Sequence, residues 1–150
     1  MKAKTATMLM SRSEIMKRAR GLGFAYEKES HYCPQATLAA LMDVFNFRDD
    51  TLFRSCFGFH GGGGDSNDGA CGALVGGTIA LSYFFGRTRS EFDLRISNCH
   101  ATGLVMRLHE RFKEEYGGIR CRDVHRAAWA AGILWDELHR EERIKRTRVT

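Results

Sequence analysis

The sequence predicts an all-α protein: a single compact helical domain of about five to six helices with a glycine-rich loop. Three observations lead there. Apolar residues recur at helical spacing along most of the 150 residues. Proline, common in turn-rich all-β folds, occurs once, as Pro34. A chain of this length holds one ordinary core and buries roughly two thirds of its unfolded surface. Its 43% hydrophobic and 27% charged residues suit a globular domain. Residues 1–10 are expected to form a flexible N-terminus, 11–139 the helical domain, and 140–150 a basic tail.

The first helix is expected over 11–29, where Ser11 or Ser13 can cap and Glu14 can close a capping box. Ile15, Ala19, Leu22 and Tyr26 form its apolar stripe, and Gly21 and Gly23 weaken or bend it. A second helix spans 33–46. Pro34 takes the first helical position, which puts Cys33 at the N-cap. Leu38, Leu41, Met42 and Phe45 make its stripe, and Asn46 stops it. Residues 49–57 read as a short helix capped by Asp49 or Asp50, followed by the glycine loop from Gly58 to Gly69.

Residues 70–86 read as a central helix that is apolar on nearly all faces. Gly72, Gly76 and Gly77 there allow close backbone approach, and a two-strand alternative exists because "GTIALSYFF" is strand-like in content. The segment 97–117 is amphipathic, with Ala101, Leu104, Val105, Leu108, Phe112 and Tyr116 inward, and Gly117 and Gly118 at its end. A last helix begins near Ile119 or Arg120. Cys121, Val124, Ala127, Ala128, Ala131, Leu134 and Leu138 recur along its buried face.

The net charge of +5 is concentrated in the tail "HREERIKRTRVT". That tail reads as a solvated helix end rather than a nucleic-acid contact. No stretch is long and apolar enough for a membrane span. The start "MKAKTATMLMSRSE" has no apolar core and cleavage site, so it does not read as a signal peptide. A cytoplasmic location is the expectation, with no membrane and no nucleic-acid partner.

The glycine loop fits no phosphate motif. No lysine follows a glycine, which excludes a P-loop. "FRSCFGFH" is a poor strand to precede a dinucleotide fingerprint. "DSNDG" starts like a calcium loop, but no glutamate closes it. Asp65, Asn67 and Asp68 are expected to turn the chain and cap the next helix. Hydrolase motifs are absent as well: there is no G-x-S-x-G and no H-E-x-x-H. Trp129 and Trp135 are at helical spacing and read as packing residues.

The five cysteines carry the chemistry. Their number is odd and no C-x-x-C pair occurs, so neither a disulfide framework nor a zinc ribbon is indicated. Cys33, Cys71 and Cys121 each stand at or just inside an expected helix N-terminus. Free amides and the positive dipole end favour a thiolate there. Such a thiolate attacks disulfides or ligates iron, so three of them suggest one convergent redox or metal centre. The alternative is three buried structural thiols. Cys56 reads as core and Cys99 as a surface thiol.

These residues bring the chain close to a known pattern. With Cys33 in "CPQATLAAL", Cys71, Gly72, Ala73 and Gly76 in "CGALVG", and Cys121 in "FKEEYGGIRCRDV", it resembles the redox-active family named for its cysteine pattern, C_GCAxxG_C_C. The resemblance covers about residues 12 to 138. It implies a small helical protein whose thiols serve electron transfer or thiol redox. A redox partner protein is the expected partner, and a homodimer is one possible assembly. A similar domain accompanies haem in some multihaem cytochromes, where an iron–sulfur centre is associated with the cysteines. By that resemblance Cys33, Cys71 and Cys121 are the active thiols and the metal ligands, and Gly72, Ala73 and Gly76 lie at the cofactor.

One departure matters. Relatives carry a fourth cysteine after an extra segment, whereas here "VHRAAWAAGIL" follows Cys121 directly. A four-thiolate cluster therefore lacks a ligand from this set. His125, four residues after Cys121 and on the same helix face, is one substitute, and Cys99, Cys56 or a partner's cysteine are others. His125 also reads simply as a partly buried polar residue. His31, His60, His109 and His139 have no spacing that singles them out.

Three functions remain at this level: an iron–sulfur electron-transfer protein, a metal-free thiol–disulfide redox protein, and a basic helical binding module with buried thiols. Whether the chain is an enzyme stays open.

Overall fold

The computed structural model describes residues 10–124. The expectations for the last helix beyond Val124, His125, Trp129, Trp135, His139 and the 140–150 tail lie outside the described residues, as does most of the expected flexible N-terminus.

The described chain is helical, without strands. α1 runs Arg12–Ser30 and starts with a complete capping box between Ser11 and Glu14. His31 ends it in the left-handed conformation at φ 58°. α2 runs Cys33–Phe45. Here the expected boundary shifts by one residue: Cys33 is the first helical residue, and the N-cap is Tyr32, which makes no side-chain cap. Proline tolerates the second position as well as the first, because neither amide has an intrahelical acceptor.

α3, Asp50–Ser55, is capped by the Asp49 carboxylate, which accepts from the Leu52 amide. A 3₁₀ segment with a kink at His60 and Gly61 follows at Phe57–Gly62. α4 runs Gly72–Phe85, so the two-strand alternative does not form. Its glycines settle the choice. A β-carbon on Gly76 would stand 2.7 Å from the Pro34 carbonyl oxygen and 3.0 Å from Thr37 Cβ. The helix therefore gains backbone-close packing on α2 that a strand would forgo. Gly72, Gly76 and Ala80, four residues apart, are all buried on that face.

α5, Arg89–Asp93, is a helix that the periodicity did not announce. Thr88 and Glu91 form a second capping box, and that T-x-x-E signal was legible in "TRSE". α6 runs Cys99–Tyr116 from an Asn98 cap to Gly117 at φ 72°. Its expected inward face is only partly covered. No residue of α6 is fully buried, and Tyr116 is 37% exposed. A further helical turn begins at Cys121.

α2 lies between α1 and α4, and α6 packs on α4. The core gathers Leu38, Met42, Phe47, Cys56 and Ala80, with Leu41, Leu52, Phe53 and Ile79 around it. Cys56 is a core thiol as expected, fully buried, with its sulfur 3.1 Å from the Phe53 carbonyl oxygen.

Candidate functional site

The glycine loop brings the ends of distant segments together. Ala70 and Arg120 form an isolated antiparallel bridge. The Cys71 amide donates to the Ile119 carbonyl at 2.7 Å, and the Cys121 amide donates to the Gly69 carbonyl at 3.0 Å. Gly62 backs this pairing at φ 79°, where a side chain would strain the chain and meet Cys121 Cβ at 3.1 Å. Its carbonyl accepts from the Gly69 amide at 2.9 Å.

Asp65 and Asn67 turn the loop at φ 64° and 63°. The expected capping role is not theirs: the N-cap of α4 is Cys71. The Asp68 carboxylate is drawn instead to Arg122, 2.7 Å away.

The bridge fixes where two thiols point. Successive residues of an extended pair alternate faces. Ala70 and Arg120 share one face, so Cys71 and Cys121, each the next residue, share the other. They are diagonal neighbours across the bridge, and both thiols are free.

Cys33 comes from the start of α2. Its sulfur and the Pro34 ring crowd the place that a β-carbon on Gly72 would take, so glycine there leaves room for the thiol next to the Cys71–Gly72 backbone. Cys33, Cys71 and Cys121 line one cavity of about 460 Å³, together with Arg20, Phe24, Glu27, Ala73 and Tyr116. Cys71 and Cys121 are buried and Cys33 is partly exposed. All are free thiols. Ala73 also lines the cavity, whereas Gly76 stands one turn further along α4, against Pro34 and Thr37.

Burial pushes both inner thiols up from their ordinary value. For Cys71, desolvation outweighs the backbone amides of Ala73 and Leu74, which favour the thiolate, and the charges of Cys33 and Glu27 add to the rise. For Cys121, desolvation leads, followed by Cys71, Cys33, Asp65 and Glu27. This corrects the expectation that helix starts alone would favour thiolates. The amides are aimed as expected at Cys71, but loss of water is the larger effect.

The other candidates stand apart. Cys99 is exposed, beside Ser97 Oγ at 3.2 Å, and lines a separate surface pocket with Arg87 and Asn98. Cys56 is sealed in the core. His31 is a helix stop. His60 packs edge-on to Tyr32, with ring centroids 4.8 Å apart, and its Nδ1 is 3.0 Å from the Phe57 carbonyl oxygen.

Sequence reading missed Glu27. It lines the thiol cavity, and its Oε2 is buried with no hydrogen-bond partner among the described residues. Its spacing from Arg20 and Phe24 put it on one stripe of α1, but nothing in the sequence marked that stripe as facing the cysteines. Among the described residues, no three His, Cys, Asp or Glu side chains form a group that could hold a single metal ion. No described helix is long and apolar enough to cross a membrane.

The chain belongs to the C_GCAxxG_C_C family, described as "Putative redox-active protein (C_GCAxxG_C_C)", whose model matches residues 31–148. No curated protein and no solved structure matches it.

Proposed function

On that membership we propose that the protein transfers electrons through a redox centre held by Cys33, Cys71 and Cys121, with an iron–sulfur cluster as its cofactor. The observation that carries this reading is the convergence of three thiols, from residues far apart in sequence, on one cavity. Three soft sulfur donors suit iron in a cluster. They edge a cavity of about 460 Å³, room enough for a multi-atom group. The family description, redox activity, points the same way.

When bound there, a cluster supplies a one-electron couple. The chain's own residues supply the setting. Gly72 leaves room for the Cys33 sulfur. The amides of Ala73 and Leu74 stabilise negative charge on the Cys71 sulfur. Leu41, Ala36 and Ala40 keep one wall of the cavity apolar. The partly exposed Cys33 marks the side from which a redox partner protein would approach.

Purification without oxygen, with a visible spectrum and assays for iron and acid-labile sulfide, tests the proposal. A coloured chain containing both supports it. A colourless chain free of both overturns it. The second reading, a metal-free dithiol, then stands on the closeness of Cys33 to the Cys71–Gly72 backbone. Its signature would be a disulfide between Cys33 and Cys71 under mild oxidant.

A further inference from the structure

We propose that Glu27 is the fourth donor to the Cys33–Cys71–Cys121 centre. This rests on the reading of that centre as a cofactor site. Glu27 belongs to α1, ahead of the residues 31–148 that the family model matches, so no motif cysteine or its neighbours account for it.

The geometry begins with α1. Arg20, Gly23, Phe24 and Glu27 fall three or four residues apart on one face, and all four line the thiol cavity. That face packs on α2 at ordinary contact distance: a β-carbon on Gly23 would stand 3.9 Å from Ala40 Cβ. Docking α1 this way carries Glu27 into the space shared by the three thiols. Its charge reaches both inner ones.

An apolar residue would fill the position at lower cost. A carboxylate oxygen buried without a partner is expensive, because it gives up water and receives nothing in return. Thr78 Oγ1 is the other such oxygen among the described residues, and it does not line this cavity. Arg20 shares the stripe two turns away, at roughly 10 Å along the axis. It does not satisfy Oε2. The remaining polar residues of the lining are Thr37 and Tyr116, and neither bonds to Oε2. Among the described residues no cation bonds to Oε2, and a cluster held by the three thiolates would supply that positive partner. The three sulfurs give a cluster three of its four ligands, and the carboxylate gives the oxygen that completes the set. Ligation needs Glu27 ionised and transfers no electron.

The test compares the full chain, purified without oxygen, with Glu27→Gln and Glu27→Cys. The parent is expected to carry iron and sulfide. Glu27→Gln should lose its iron to a chelator at least tenfold faster, and the midpoint potential of what remains should rise, because a negative charge has gone. Glu27→Cys should keep its iron and show a visible band moved towards the all-thiolate type. A Glu27→Gln chain with the parent's iron retention, spectrum and potential overturns the assignment and leaves the three-thiol centre standing. Should Glu27→Gln not fold, a Glu27→Cys spectrum identical to the parent's overturns it instead. A parent without iron and sulfide overturns the cofactor reading, and this assignment falls with it.

Discussion

The sulfur of Cys33 fills the space beside Gly72 that a side chain would otherwise take. The absence of one β-carbon thus lets a thiol on α2 approach the backbone at the start of α4, next to the N-cap residue Cys71. Gly72→Ala is expected to push Cys33 and Pro34 aside, at about 1–3 kcal/mol for the overpacked contact. Helix content by circular dichroism should persist, while iron retention falls. An alanine variant with parental stability and cofactor content would show that the contact does not constrain the site.

Gly62→Ala should damage the same site from the opposite side. The residue sits at φ 79° behind Cys121, so a side chain there is strained as well as crowded. A loss of roughly 1–3 kcal/mol is expected, read by denaturant unfolding. Gly58→Ala, where a β-carbon meets nothing within 4 Å, is the control and should change little.

Reduced, metal-free protein should react with iodoacetamide at Cys99 first and Cys33 second, since these are the exposed and partly exposed thiols. Cys71 and Cys121 should lag, because burial raises both above the ordinary thiol value of 9.0. Their rates should climb only as the pH passes above about 9. The same shift acts on stability. A raised folded value means that the contribution is intact below the ordinary value and is lost as pH rises through the folded one. Mass spectrometry of peptides from timed quenches measures the order, and early labelling of Cys71 would contradict the buried geometry.

The Tyr26 hydroxyl donates to the Asp43 carboxylate and ties α1 to α2. That bond, ahead of Arg48, lowers the acid of Asp43 below its ordinary 3.8 and raises the phenol of Tyr26 above 10.0. The lowered acid contributes stability above pH 3.8 that is lost as pH falls through its folded value. The raised phenol contributes below pH 10.0, and its share is lost as pH rises through its own. Tyr26→Phe should therefore lower the Tm near neutral pH and flatten both flanks of the stability profile. A parental profile in the variant would mean that the bond contributes nothing.

The helices were legible where side chains repeat or cap. Ser11 with Glu14, Asp49 with Leu52, and the left-handed Asn46 and Gly117 bound their helices as their residue types suggest. The likeness to the family, too, could be read from Cys33, Cys71 and Cys121. What the sequence could not convey was relative placement. The orphan oxygen of Glu27 depends on how α1 docks on α2. The raised thiols of Cys71 and Cys121 depend on burial by other segments. Short α5 escaped because five residues are too few to show a period, although Thr88 and Glu91 announced its cap.

The pairing of Ala70 with Arg120 closes a loop of about 50 residues, spanning α4, α5 and α6. Holding the ends of such a loop together costs roughly 3.5 kcal/mol of chain entropy. Three backbone hydrogen bonds, the third from the Arg122 amide to the Asn67 carbonyl at 3.4 Å, and the Arg122–Asp68 ion pair offset that cost with little to spare. The pairing is therefore a clasp, and a ligand gripping Cys71 and Cys121 at once would tighten it. On the proposed reading, filling the site would be coupled to closing this loop. An empty chain should open first at this clasp, releasing Cys121 while α1 and α2 stay paired, so hydrogen exchange at the Cys71 and Cys121 amides would report occupancy of the centre directly.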